Sequence, residues 1–426
     1  MFPVRLRIWS KILTVMKIWI FNNYNTLPEH GSFCRSYNFG LHMEQMGHRP
    51  VVFVGSHPHN TNLQLIDGRT PYRLYQEKPF PWMLVRTLNY EGSRLKQVFS
   101  MFQFYFNGKR AAKWAVKHYG APDAVLGSSA HPLAALLAIR LGKKYRCRSI
   151  VEIRDLWPES IVAYGIAGAQ NPAILALRHL EKWLYRHADA LVFTMEGAYD
   201  YILEQGWEKE IPRSKVYYIN NGVDLEAFHY NREHYQIKDP DLDNPDICKI
   251  VYTGSIRRAN NLGVLIDIAK QISNPRIKFL LWGAGDEAAV LQRRVEEEQI
   301  KNVVFKGWVE KKYIPFIVSR ADYNYIEIVN DNIGRFGNSQ NKLFDYFAAG
   351  KPMLISRQKY NPANRFSCGL FFSSEAEFLK ILKTLPTFPK EKYEELCLNA
   401  RAAAEEYDFK TLTKKLVAAI EGTEKE

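Results

Sequence analysis

At 426 residues, 46% of them apolar and with no low-complexity tract, the chain reads as two globular units of about 200 residues each rather than one domain. Its five cysteines (Cys34, Cys147, Cys248, Cys368, Cys397) form no CxxC pair and the histidines do not cluster, which argues against a disulfide framework or structural zinc and favours a reducing compartment. The net charge is +13, of which residues 1–225 hold +11, and without a zinc-finger or RNA-recognition pattern this points to an acidic substrate or anionic lipid rather than nucleic acid.

No window reaches the ~20 uninterrupted apolar residues of a membrane span. As a helix, the leader 1–15 sets Phe2, Leu6, Trp9 and Leu13 on one face and Arg7, Ser10, Lys11 and Thr14 on the other. That is the pattern of an amphipathic helix on anionic lipid; a poorly ordered leader or an over-long start are the alternatives.

From 16 to 228, apolar strands at 17–21, 50–54, 82–86, 123–127, 149–153, 189–194 and 216–219 alternate with helices near 35–47, 91–119, 132–142 and 197–205. Such alternation predicts an α/β doubly wound parallel sheet. An Asp-, Asn- and Pro-rich stretch, 229–247, reads as a linker. A second α/β series fills 248–405, with strands at 249–253, 278–282, 302–306, 322–328 and 353–356 and helices at 261–272, 286–297, 311–319 and 338–350. Residues 406–426 are expected to end in a helix.

The most informative stretch is the helix expected at 338–350. Asn338 or Ser339 would cap it, and Gly350 and Pro352 would end it. Asn338, Asn341 and Asp345 share one face with Lys342 beside them, while Leu343 and Phe347 face a core. The free N–H groups near Ser339 and Gln340, together with Lys342, suit phosphate; a carboxylate one turn on suits a ribose diol.

Residues 341–352, NKLFDYFAAGKP, resemble the donor-binding helix of the group 1 (family 4) retaining glycosyltransferases. These enzymes have the GT-B fold, two Rossmann-like doubly wound domains facing across a cleft. The branch most resembled is the L-fucosamine-transferase-like one, which builds surface polysaccharides such as capsule or O-antigen. The resemblance implies a donor site on the second unit and a C-terminal helix packing back toward the first.

Several segments extend the resemblance. The loop Gly254–Asn261 follows a strand, where Arg258, or else Arg257, would neutralise a diphosphate; both could instead be solvated loop arginines. Gly283 and Gly285 match the family's GxG donor loop, and Gly307, Trp308 and Val309 its base-binding turn. In the first unit, His30 and Gly31 match the glycine loop near the acceptor, with Arg35 following at helical spacing. Residues 153–159, IRDLWPE, resemble the branch's RDLWPES signature: Arg154 stands where many relatives hold histidine, while Asp155 and Glu159 could orient an acceptor hydroxyl or the donor sugar. The family's two glutamates are represented by Asp345 and by Gly337, so the first carboxylate is missing; Glu327 is a substitute candidate. The aromatic stretch 98–106 is a core helix or an apolar face for a polyprenyl-linked acceptor, and Lys143, Lys144, Arg146 and Arg148 could meet lipid phosphates.

The expected activity is transfer of a sugar, an N-acetylated hexosamine or deoxy sugar, from a UDP-sugar to a lipid-diphosphate-linked glycan at the inner face of the cytoplasmic membrane. No metal or other cofactor is expected, because Arg258, Lys342 and backbone N–H groups would stabilise the leaving diphosphate. Arg154 and Asp155 are the first-unit residues expected at the reacting centre. The alternatives are a UDP-sugar epimerase of the same fold and a non-catalytic donor-binding subunit, the latter suggested by Gly337.

Overall fold

The computed structural model describes residues 15–27, 29, 34–58, 61, 63–90, 92–129, 131–328 and 333–423. The amphipathic leader up to residue 14, His30 and Gly31 lie outside the described residues.

The first unit is built on an eight-stranded sheet. Its strands are β1 (Lys17–Asn22), β2 (Arg49–Gly55), β3 (Tyr72–Gln76), β4 (Trp82–Val85), β5 (Ala124–Ser128), β6 (Arg148–Ile153), β7 (Ala190–Phe193) and β8 (Val216–Tyr218), in the order β3-β4-β2-β1-β5-β6-β7-β8. All neighbours run parallel except the edge pair β3–β4. Central strands such as β5 are buried at every residue, as expected where helices cover both faces. Among those helices are α1 (Arg35–Gln45), α2 (Arg94–Tyr119) and α3 (Pro132–Tyr145).

The second unit has six parallel strands: β9 (Cys248–Thr253), β10 (Ile277–Trp282), β11 (Val303–Gly307), β12 (Tyr323–Ile326), β13 (Met353–Ser356) and β14 (Gly369–Phe372), ordered β11-β10-β9-β12-β13-β14. Strand β14 and the helices Glu375–Thr384 and Lys390–Glu406 add to the elements expected from sequence. The stretch expected as a linker is largely ordered. Helix Leu225–His234, capped by Asp224, runs into it, and the short helix Pro240–Asp243 follows. Lys306 holds that short helix through Asp239 and Asp241.

The C-terminal helix Phe409–Glu421 lies against α1, with Phe409 edge-on to Phe39 at 5.5 Å. Just before it, residues 407–409 pair with Val223 through backbone bonds of 3.0 and 2.9 Å. A Cβ at Gly222 would lie 2.2 Å from the Tyr407 carbonyl oxygen, so only glycine lets these strands of chain meet.

Arg35 opens α1 and is 4% exposed. Its Nε donates to Glu152 at 2.7 Å, and its terminal nitrogens donate to the Ile219 and Asn220 carbonyls and to Asn221 Oδ1. These bonds brace the sheet, and Arg35 also lines the cavity between the two units. Burial opposes the charge on Glu152, yet Arg35, with Arg154 nearby, holds its carboxyl below the ordinary range. Arg35→Ala would strand that carboxylate, and a loss of about 3–5 kcal/mol is expected in chemical denaturation.

Candidate functional site

Three loops at the carboxyl ends of β9, β10 and β11 stack on one another. The Gly254 N–H donates to the Trp282 carbonyl at 3.0 Å, Ile256 N–H to Ala284 at 2.9 Å, and Gly283 N–H to Gly307 at 2.8 Å. A Cβ on Gly283 would sit 1.8 Å from the Gly254 carbonyl oxygen, and one on Gly285 2.1 Å from that of Ile256. Both glycines are thus required for the loops to touch, which is a packing role. Gly307 has open space around it, and Trp308 beside it is 69% exposed, with Val309 half-buried.

The helix expected at 338–350 runs from Asn341 to Ala349 and ends at Gly350 in the left-handed conformation. Leu343 and Phe347 are fully buried. Its N-cap is Gln340, with no side-chain cap; Asn338 instead accepts the Gln340 N–H at 3.1 Å in a turn ahead of the helix. The carbonyls of Asn338 and Ser339 accept from Asn220 (3.0 Å) and Asn221 (2.7 Å) of the first unit, and Asn341 Oδ1 accepts from Asn221 at 3.1 Å. With its carbonyls so engaged, the turn has N–H groups left to offer a ligand.

Lys342 leaves the first turn of this helix toward the β9 loop. Its Nζ donates to Tyr252 Oη at 3.0 Å and to Asn260 Oδ1 at 2.9 Å, and lies 4.3 Å above the Tyr252 ring. Among the described residues it has no carboxylate partner. Burial pushes its ammonium down to about 7. Gly254, with φ +143°, keeps bare backbone close by: a Cβ there would stand 3.6 Å from Nζ. A preorganised ammonium without a counter-charge, beside exposed backbone at a helix N-terminus, is a ready anion site. Arg257 and Arg258 flank it, both exposed and, among the described residues, without an ion pair.

One turn further, half-buried Asp345 opens with Asn341 onto a cavity of about 470 Å³ between the two units. Arg154 reaches the same cavity from the end of β6, and Lys311 lines it from the second unit. Burial raises the Asp345 carboxyl to about 6, with Lys311 opposing. The cavity thus brings Arg154, Asn341 and Asp345 together. It does not include the rest of the 153–159 segment: Asp155 is exposed and borders a separate small void, and Glu159 is paired with Arg178 at 2.8 Å. Glu327 is engaged by Tyr325 (2.7 Å) and Asn261 (2.9 Å) on a different depression. Among the described residues no group of three His, Cys, Asp or Glu side chains could hold a metal ion.

Sequence reasoning missed the fastening of the donor-side loop to the first unit. Phe336, just before Gly337, is buried in the first unit's core, edge-on to Tyr201 at 5.4 Å. The Gly197 N–H donates to its carbonyl at 2.7 Å, Arg335 makes two bonds to Glu204 (3.0 and 2.6 Å), and Asp200 accepts from Lys359 and Tyr360. An apolar Phe336 within the polar run GRFGNSQN was the available signal. Gly337 has φ +115°, and a Cβ there would lie 3.2 Å from the Glu196 amide nitrogen. The first unit's backbone occupies the ground beside this position.

Comparison with known proteins agrees with this architecture. Residues 35–227 match Glycosyltransferase Family 4, and residues 248–385 match Glycosyl transferases group 1. A probable glycosyltransferase, WbjE of Pseudomonas aeruginosa, is 24% identical over 268 residues, covering 62% of this chain; the chain thus spans 63% of that relative's length. The fold is that of Anabaena Alr3699/HepE, solved in complex with UDP (TM-score 0.64, 13% identity, 95% of this chain and 100% of that one). It is equally that of sucrose-phosphate synthase from Thermosynechococcus elongatus (TM-score 0.67, 16% identity, 94% and 97%). The chain thus carries a Glycosyltransferase Family 4 match followed by a Glycosyl transferases group 1 match, in tandem on the GT-B fold.

Proposed function

We propose that the protein moves a sugar, with retention of anomeric configuration, from a UDP-sugar to a lipid-diphosphate-linked glycan in surface-polysaccharide synthesis. The sugar class, an N-acetylated hexosamine or a deoxy sugar, rests on the resemblance to the L-fucosamine-transferase-like branch. The single observation that carries the reading is Lys342: a half-buried lysine whose ammonium has only neutral partners, beside bare backbone and one turn from Asp345. That HepE was solved with UDP supports the choice of nucleotide.

Breaking the anomeric C–O bond leaves negative charge on the diphosphate and oxocarbenium character on the sugar. Lys342, Arg258 and the N–H groups near Ser339 and Gln340 stabilise the former, each preorganised donor typically contributing about 3 kcal/mol. Asp345 accepts hydrogen bonds from the ribose hydroxyls, Trp308 and Val309 border the base, and Arg154 faces the reacting groups across the cavity. The departing phosphate takes the acceptor's proton on the same face, so no side-chain base is assigned. Fixed positive charge does what a metal ion would otherwise do, and activity in EDTA should persist. The enzyme works at the inner face of the cytoplasmic membrane, where the acceptor's lipid is held.

Melting-point screening tests the donor: UDP should stabilise the protein where GDP and NAD do not. Incubation with UDP-sugars and lipid acceptor then separates transfer from epimerisation and from binding without turnover. Titration of UDP against pH adds a sharper check. A diphosphate beside Lys342 restores its proton, so binding above pH 7 takes up a proton and weakens by up to about tenfold per pH unit. Calorimetry at pH 8 in two buffers should report that uptake; a flat affinity between pH 7 and 9 would remove Lys342 from the site.

A further inference from the structure

Helix α2 carries a surface that donor chemistry leaves unexplained. Its buried residues, among them Phe104, Ala111 and Ala115, pack on the sheet and on α3. On the opposite side, Leu95, Val98, Phe99, Phe102 and Phe106 are all exposed, Leu95 by 76% and Phe99 by 63%. At 100° per residue these five fall within one narrow stripe, about 16 Å long. Lys109, Arg110, Lys113 and Lys117 continue the same stripe down the second half of the helix, all exposed. Helix α2 contains no Asp or Glu, against six Lys and Arg.

Large apolar side chains at such exposure on a helix that is otherwise well packed call for a cover. The charge pattern selects it. A second copy would have to bring two cationic stripes together, whereas an anionic bilayer accepts an apolar segment at its acyl boundary and ammonium groups among its headgroups. Topology adds a reason. Strand β4 ends at Val85 and the chain enters α2 at Arg94, so the apolar end of α2 lies on the cleft side of the first sheet. There Gln97 donates to Tyr24 Oη at 3.4 Å, in the loop that follows β1. The basic end points away, toward exposed Lys143, Lys144 and Arg146 at the end of α3.

We propose that α2 is the docking helix for an anionic membrane surface, seating Leu95, Phe99, Phe102 and Phe106 at the acyl boundary and its lysines on the headgroups. The cleft rim then rests at the lipid. The consequence for turnover rests on the lipid-linked acceptor proposed above; the docking itself does not.

Co-sedimentation of the full chain with vesicles tests it. Wild type should bind phosphatidylcholine vesicles containing phosphatidylglycerol, weakly bind pure phosphatidylcholine, and lose binding in high salt. Phe99→Ser with Phe102→Ser, and separately Lys109→Glu with Lys113→Glu, should each lower partitioning about tenfold or more. These residues are exposed, so melting point and UDP stabilisation should stay at wild-type values. Partitioning of both variants within twofold of wild type would overturn the proposal, as would a vesicle-indifferent wild type whose dimer, seen by sedimentation velocity, is broken by Phe99→Ser and Phe102→Ser. Vesicle binding by wild type that the variants lose, with no sugar transfer by wild type to any lipid acceptor, would leave the docking intact and sink the acceptor assignment instead.

Discussion

Replacing Lys342 with methionine is expected to lower turnover by about a hundredfold, roughly 3 kcal/mol of leaving-group stabilisation, while raising the melting point of the free protein. Both effects come from one feature, a half-buried ammonium held against Tyr252 and Asn260 without a carboxylate. Its folded-state value, about 7, lies below the ordinary lysine value, so between pH 7 and 10.5 the unfolded chain binds more protons and stability rises with pH. Below pH 7 the burial penalty is fully present. The gain in melting point from Lys342→Met should therefore be largest at or below pH 7 and fade toward pH 10. A functional residue that opposes folding is the expected signature of a preorganised site. A methionine variant that loses both stability and activity at pH 7 would mark Lys342 as structural.

Placing at position 337 the glutamate of the resembled family's two-glutamate pattern should harm activity. The backbone there has φ +115°, which an L side chain adopts at a cost of about 1–3 kcal/mol. The added Cβ would also press on the Glu196 amide at 3.2 Å and on Tyr360 Cβ at 3.4 Å. The segment 334–337 that fastens the donor loop to the first unit must then shift, pulling Phe336 from its pocket. Gly337→Glu is expected to lower turnover at least tenfold with UDP affinity nearly preserved, because Lys342 and Asp345 stand on a helix buried independently. Gly337→Ala should fall between. Rising activity in Gly337→Glu would show instead that the position is a vacancy at the sugar, and that the fastening by residues 334–337 is incidental.

The sequence carried the sheet order's raw material well, and the reasons are local. Strands such as β5 and β10 are apolar runs between turn residues, and Gly350 ended the donor helix where a left-handed residue was required. What escaped were features made by distance along the chain. Arg35 reads from sequence as a residue at helical spacing after the acceptor-side glycine loop, yet its partner Glu152 lies 117 residues away. The warning was Glu152 itself, a carboxylate inside a strand otherwise suited to full burial. Lys342 could be placed at a helix start from sequence, but not its neutral partners, 90 and 82 residues distant, which set its proton affinity. Strand β14 was missed because its middle residues are only half-buried at the sheet edge, and Gly369 opens it. Gly283 and Gly285 are legible as a GxG turn, but not the neighbouring loops, distant in sequence, against which they pack.

The most direct test is a crystal structure with UDP bound. The account predicts the diphosphate within hydrogen-bonding distance of Lys342 Nζ and of the Ser339 and Asn341 amides, with the ribose hydroxyls on Asp345. UDP seated anywhere else, with the Lys342 ammonium still held only by Tyr252 and Asn260, would contradict it.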